Sequence, residues 1–198
     1  MYDIQTTPGL IIDSRAYGEA GKTLSIFTRD FGLVRAVAQG IRLEKSKLRY
    51  QTQNYSFGIF SLVKGKEYWR LVGAQEWKVD DDVSPEKKKS SLAIIAPVSL
   101  ILRRLLQGEQ AHSELFQCIE SFANFIRSTT GFDDEQLKTL ESFMVLRILY
   151  RLGYVSDALN SEVELKSDNL SLELINELNS KRAEINRHIN RALKESHL

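Results

Sequence analysis

The sequence predicts an α+β protein, a small β-barrel followed by an α-helical domain. Up to about residue 80, apolar residues come in short runs broken by turn residues roughly every ten positions, the rhythm of short strands in a closed sheet. From Pro85 onward they recur three and four positions apart, the rhythm of helices that bury one face. Between the two regimes lies the acidic junction Asp80-Asp81-Asp82, so the expected domains are residues 1–80 and 81–198.

In the first part, Gly9–Asp13 and Leu24–Thr28 are short apolar runs and Leu33–Ala38 nearly alternates. Tyr55–Val63 and Tyr68–Val72 follow, with Glu76–Val79 as a tail. Turn residues separate the runs at Tyr17-Gly18-Glu19, Asp30-Phe31-Gly32 and Lys64-Gly65-Lys66. About five strands with one long basic loop suit an OB-fold, and an SH3-like barrel suits the same pattern.

In the second part, Ser84 as cap and Pro85 at the first helical position start a helix. It carries Leu92, Ile95, Val98, Leu102 and Leu105 towards Gly108, and Pro97 is expected to kink or split it. A second helix spans Ser113–Ser128, with Leu115, Phe116, Ile119, Phe122 and Ile126 on one face. A third starts near Asp133, where Gln136 can complete a capping pair, and runs to Gly153. Residues 154–169 are polar and read as loop; one or two further helices fill the stretch from Leu170 on.

The 198 residues suffice to bury a core, and 42% apolar with 27% charged residues is ordinary for a globular chain. No apolar run approaches the roughly 20 residues that span a bilayer. The start, M-Y-D-I-Q-T-T-P, has neither the basic nor the apolar region of a signal peptide, so the expected location is cytoplasmic. Cys118 is the single cysteine, which excludes an internal disulfide and a multi-cysteine zinc site. Its apolar helical surroundings predict a buried, inert thiol.

A net charge of +1 conceals an asymmetry: about 12 basic and 8 acidic residues up to Asp80, then about 15 and 18. Most of the local excess lies in V-R-A-V-A-Q-G-I-R-L-E-K-S-K-L-R-Y (Val34–Tyr50), where Arg35, Arg42, Lys45, Lys47 and Arg49 face one acid, Glu44. Tyr50, Tyr55, Tyr68 and Trp69 are interleaved with the strands that follow, beside Lys64, Lys66 and Arg70. Phosphates need charge and unstacked bases need flat partners, so a cationic loop beside aromatics suits single-stranded nucleic acid. Lysines and arginines also occur on loops merely to be solvated; the aromatics and the barrel context favour binding. Tyr50, Lys66 and Arg70 join the basic loop as candidate contacts on that ground.

Other motifs point away from catalysis. Ala16-Tyr-Gly-Glu-Ala-Gly-Lys-Thr23 is a loosened phosphate-loop pattern, but such a loop needs a helix behind it. Leu24 and Ile26 read as a strand, which makes the motif a hairpin turn. His112, His188 and His197 are too scattered for a local metal site, and no serine stands in a nucleophile elbow. The expectation is a protein without catalytic residues, metal or cofactor.

Three stretches, Thr7–Ala20, Leu24–Arg42 and Lys45–Leu48, together resemble the RecO family of bacterial recombination and repair mediators. The combined order of Y-G-E, T-R-x-x-G and A-x-G-x-R-x-x-K-S carries the resemblance. It continues through E-L-F-Q-C-I-E (Glu114–Glu120) and L-R-I-L-Y-R-L-G-Y (Leu146–Tyr154), and faintly at Arg191–Ser196. The resemblance implies an N-terminal OB-fold β-barrel followed by an α-helical domain, without catalytic turnover. It implies binding of single- and double-stranded DNA, annealing of complementary strands, and work with a RecR-like protein to help RecA replace single-stranded-DNA-binding protein. The DNA contacts would be Arg35, Arg42, Lys45, Lys47 and Arg49, and the location cytoplasmic and nucleoid-associated. The helical domain would accept the acidic tail of single-stranded-DNA-binding protein. Many RecO-like proteins carry a four-cysteine zinc element after the third long helix; here Val155–Asn169 holds no cysteine, so zinc is not expected. The chain is also shorter than most of the family, which lowers the expectation for partner binding. The alternative reading is an adaptor whose barrel docks a protein rather than DNA.

Overall fold

Five strands close on themselves because the first is long enough to pair with two neighbours. The computed structural model describes residues 3–43, 45–76, 84–156, 163 and 165–195. Strand β1 (Ile4–Tyr17) pairs antiparallel with β4 (Phe57–Lys64) through its first half and with β2 (Gly21–Thr28) through its second. A register shift between Ile11 and Asp13 lets it bend from one partner to the other, as bulges in small barrels do. Strand β3 (Gly32–Ala38) pairs with β2, and then in parallel with β5 (Trp69–Glu76) at Ala36↔Trp69 and Val37↔Arg70. The order around the barrel is β1-β2-β3-β5-β4. A chain of consecutive hairpins cannot give that parallel pair, so of the two barrels left open by the strand pattern this is the OB type.

The barrel interior is filled by Ile11, Leu24, Ile26, Val34, Ala36, Phe60, Leu62, Trp69 and Leu71. Leu10, Ile11 and Ile12 are buried in succession, which strict alternation forbids unless both faces of the strand are covered. Phe116 supplies part of that outer cover, with its ring 5.6 Å from Phe27 and 6.4 Å from Phe57. The chain accordingly divides into two compact units, Met1–Asp81 with Leu105–Phe116, and Asp82–Arg104 with Gln117–Leu198. Leu105–Phe116 groups with the barrel although it lies far along the chain.

Strand β4 starts at Phe57, two residues later than its sequence pattern suggests. Tyr55 has φ +69°, outside the extended region, and its N–H donates to the Ile11 carbonyl at 2.7 Å. The tail Trp77–Val79 and the junction Asp80–Val83 lie outside the described residues. A one-turn helix α1 (Leu48–Gln51), unforeseen in the sequence, interrupts the long basic loop.

In the second unit, α2 (Pro85–Leu105) starts as expected, with the Lys87 N–H donating to Ser84 Oγ. It is not split at Pro97: buried Ile94, Ile95, Val98 and Leu102 flank the proline and hold both sides in one helix although the Pro97 N–H is missing. Leu92, expected on the buried face, is 52% exposed. Helix α3 (Ser113–Ser128) follows the expected span, and α4 (Asp134–Arg151) carries the capping box. There Asp133 Oδ1 accepts from the Gln136 N–H at 2.7 Å and Gln136 Oε1 accepts from the Asp133 N–H. Asp133→Ala removes one half of that exchange and a favourable charge at the helix start. We expect a loss of about 1 kcal/mol and a melting point lower by about 2–4 °C, read by circular dichroism.

Where one or two terminal helices were expected there is, among the described residues, a single one, α5 (Leu172–Glu195), paired with α4 through Thr139–Asn179 and Gln136–Asn176 hydrogen bonds. The stretch read as polar loop contributes Val163 and Leu165 to the buried core, and Asp168 holds Arg151 at 2.6 Å. Cys118 is buried, and burial pushes its thiol pKa up, which disfavours the reactive thiolate.

Candidate nucleic-acid interface

At one end of the barrel the β1–β2 turn and the β4–β5 turn come together. Strand β1 ends at Tyr17, paired with Gly21 across the turn Gly18–Ala20. Lys22, the lysine of the phosphate-loop look-alike, stands in β2, so the loop is followed by a strand and not by the helix a phosphate loop needs. Strand β4 ends at Lys64, paired with Trp69, and the loop Gly65–Tyr68 between them is closed by the Gly65 N–H donating to the Tyr68 carbonyl at 3.1 Å.

These turns enclose a groove of about 500 Å³. Tyr17 forms one wall, Val37 and Gln39 at the end of β3 lie beside it, and the β4–β5 hairpin contributes Lys66, Tyr68 and Arg70. Tyr17 is 53% exposed and Tyr68 46%, so both side chains reach solvent. Trp69 also lines the groove but is 3% exposed. Its ring lies 5.1 Å from that of Phe31, and its Nε1–H donates to Glu109 Oε1 at 2.8 Å, which makes it a wall rather than a stacking platform.

Arg35 projects from the outer face of β3 and is exposed. Two residues on, Val37 stands opposite Arg70, so by the pleat Arg35 and Arg70 share one face of adjacent strands. The long loop after β3 is tied down at two points. Ile41 is buried in the barrel core, and Leu48 packs against it from α1, where Thr52 Oγ1 donates to the Leu48 carbonyl at 2.7 Å. With those anchors inside, Arg42, Lys45, Lys47, Arg49 and Tyr50 are all left outside, and Tyr50 is 78% exposed. Arg42 ties this loop to the β1–β2 turn: its N–H donates to the Ala20 carbonyl at 2.9 Å and its guanidinium to Gly18 at 3.5 Å. Among the described residues, Arg42, Lys45, Lys47 and Arg49 form no ion pair.

The eight residues singled out from the sequence thus fall into groups. Lys66 and Arg70 meet in the groove, Arg35 adjoins it on β3, and Arg42 sits at the joint between turn and loop. Lys45, Lys47, Arg49 and Tyr50 form a separate cationic stretch that does not line the groove. Tyr17 was missed, although an aromatic residue directly before the Gly18 turn was visible in the Y-G-E motif. Glu109 was missed too, and no local signal marks it, since it reaches Trp69 across 40 positions of sequence. Among the described residues, no three His, Cys, Asp or Glu side chains converge in a way that holds a metal ion. Nor is any described helix long and apolar enough to cross a membrane.

A closed barrel of this strand order, with its β1–β2 and β4–β5 turns framing a groove, is an OB-fold domain, the class that takes oligonucleotides or oligosaccharides on that face. Residues 1–75 match the family model described as Recombination protein O N terminal. The barrel therefore belongs to the RecO N-terminal family, and similarity to RecO proteins extends over most of the chain. A DNA repair protein RecO of Desulfitobacterium hafniense is 33% identical over 153 residues, 73% of this chain and 50% of the relative. The DNA repair protein RecO of Alkaliphilus metalliredigens is 27% identical over 147 residues, 74% and 57% of the two chains. That of Caldanaerobacter subterraneus subsp. tengcongensis is 25% identical over 166 residues, 83% and 64%. The chain spans half to just under two thirds of the length of these relatives.

Proposed function

We propose that this protein is a DNA repair and recombination mediator whose barrel, residues 1–80, captures DNA strands by charge and stacking without reading base sequence. The observation that carries this is the groove of the OB-type barrel, where exposed Tyr17 and Tyr68 stand beside Lys66 and Arg70. The names of its relatives support the repair role. A single strand laid in the groove stacks bases on the two tyrosines and sets its phosphates against the cations of β3 and the hairpin. The second cationic stretch, Lys45 to Tyr50, gives a further run of backbone contacts. Two strands held at once, with backbone charge screened and base edges free, can pair with each other, which is annealing. Residues 81–198, apart from the Leu105–Phe116 segment that groups with the barrel, form the helical domain in this scheme. The partners are single- and double-stranded DNA, a RecR-like protein and the tail of single-stranded-DNA-binding protein, and the protein assists the loading of RecA without turning over a substrate.

A surface neutralising four or five phosphates gives a slope of about −3 to −4 in log affinity against log salt on single strands. Arg42→Ala with Lys45→Ala is expected to weaken binding of all sequences alike and to make that slope less negative by about 1.4. Fluorescence anisotropy of labelled oligonucleotides between low and moderate salt reads both. Wild-type protein with no affinity for DNA at low salt, yet able to bind a RecR-like partner, would make the barrel a protein-docking module instead.

A further inference from the structure

Glu109 lies outside the groove lining but reaches one of its cations, Lys64. It lies in the Leu105–Phe116 segment that groups with the barrel, and each of its carboxylate oxygens has a different donor. Oε1 accepts from the Trp69 indole and Oε2 from the Lys64 ammonium, both at 2.8 Å. Lys64 and Trp69 are the closing pair of the hairpin that carries Lys66 and Tyr68, so Glu109 sits at the base of that hairpin. Lys64 itself lines the groove.

The two halves of this contact differ in strength of hold. Trp69 is buried and wedged against Phe31, so the oxygen it occupies is fixed. The backbone on either side of Glu109 is fixed as well. The Gly108 carbonyl accepts from the Leu33 N–H at 3.2 Å, and Gln110 lies so close to Gly32 that a Cβ there would stand 2.0 Å from its carbonyl oxygen. The Lys64 side is open: the lysine side chain is 65% exposed and the carboxylate 40%. An ion pair that exposed is held weakly and exchanges readily for another anion. The hydrogen bond from Lys64, opposed by partial burial and helped by Trp69, keeps the Glu109 carboxyl below its ordinary pKa, so it stays ionised near neutral pH.

We propose that Glu109 is a positioning residue that tempers the groove, holding Lys64 in an internal ion pair so that a bound strand must exchange a phosphate for a carboxylate at that ammonium. This rests on the groove being the strand-binding surface. Because Glu109 stays bonded to the Trp69 indole, the exchange leaves its other oxygen without the lysine beside the hairpin, and the ammonium adds little to net affinity. The groove therefore holds strands less tightly than its count of cations suggests, which suits a protein that must release them.

Glu109→Gln keeps an oxygen for the Trp69 indole and removes the charge that holds Lys64. With a labelled oligothymidylate, the variant is expected to bind several-fold tighter than wild type at low salt, with a slope more negative by about 0.7, one further phosphate contact. Adding Lys64→Met to Glu109→Gln is expected to restore the wild-type slope, an effect that loss of a merely structural brace does not produce. Equal or weaker binding by Glu109→Gln with an unchanged slope overturns the proposal and leaves the strand-binding reading in place. Wild-type protein that shows no salt-dependent binding brings down that reading and this one together. Without any DNA, Lys64 in wild type should acylate more slowly than Lys66 by mass spectrometry and catch up in Glu109→Gln; equal rates in wild type also overturn it.

Discussion

Gly32→Ala is expected to destabilise the barrel by about 3 kcal/mol or more, far beyond the cost of a left-handed residue alone. Gly32 opens β3 at φ +70°, where any side chain costs about 1–2 kcal/mol. The larger part is contact: an added Cβ would stand 2.0 Å from the Gln110 carbonyl oxygen, 2.5 Å from its carbon and 2.8 Å from its nitrogen. All three atoms are backbone, so relief requires the segment to lift from the barrel. Lifting it breaks the Leu33–Gly108 hydrogen bond and loosens Glu109 on Trp69. For a chain of this length the melting point should fall by about 6–12 °C. Gly18→Ala is the control, since φ there is +58° but nothing lies within 4 Å of the added carbon; its cost should stay near 1 kcal/mol. Equal losses in urea unfolding of the two variants would show that the segment yields freely and does not brace the barrel.

Tyr17→Ala combined with Tyr68→Ala is expected to weaken binding of single strands by about 100-fold while leaving the salt slope unchanged. Each exposed ring that stacks one base contributes about 1–3 kcal/mol, and every 1.4 kcal/mol is tenfold in affinity. Neither substitution removes a charge, so the number of neutralised phosphates is the same. This is the opposite signature to that of Arg42→Ala with Lys45→Ala, which changes the slope. Anisotropy titrations of the two double variants at several salt concentrations separate stacking from charge. Undiminished affinity in the tyrosine variant would place the strand on the Lys45–Tyr50 stretch and away from the groove.

Much of the architecture could be read in advance because local chemistry settles it. Ser84-Pro85 and the Asp133/Gln136 pair mark helix starts through capping that involves only neighbours, and both stand where expected. Strand runs and turns were legible for the same reason. Errors came where distant residues intervene. Leu92 fits the helical stripe by spacing, yet exposure depends on what packs beside it, and it is half exposed. Pro97 alone argues for a helix kinked or split; it is not split, because four buried neighbours outweigh one lost hydrogen bond. Val163 and Leu165 look like isolated apolar residues in a polar stretch, and only packing shows that they are core.

The candidate site was half legible. Basic residues on the loop after β3 announced themselves by density, and they do lie exposed. Which of them share a surface could not be read, because that depends on strand order. The parallel β3–β5 pair sets Val37 opposite Arg70 and so brings Arg35, from the middle of the barrel sequence, onto the face of the last hairpin. Tyr17 and Tyr68, 51 positions apart in numbering, line one groove through the same closure.

Composition, capping and hydrophobic rhythm were thus enough to define a basic barrel joined to helices, since each arises from residues within a turn or two of one another. Which barrel it is, which aromatics face the groove and which acid restrains Lys64 were decided only by long-range closure. Pairing β1 with both β2 and β4, and drawing Glu109 across 40 residues onto Trp69, depends on three-dimensional packing that leaves no periodic trace in the chain.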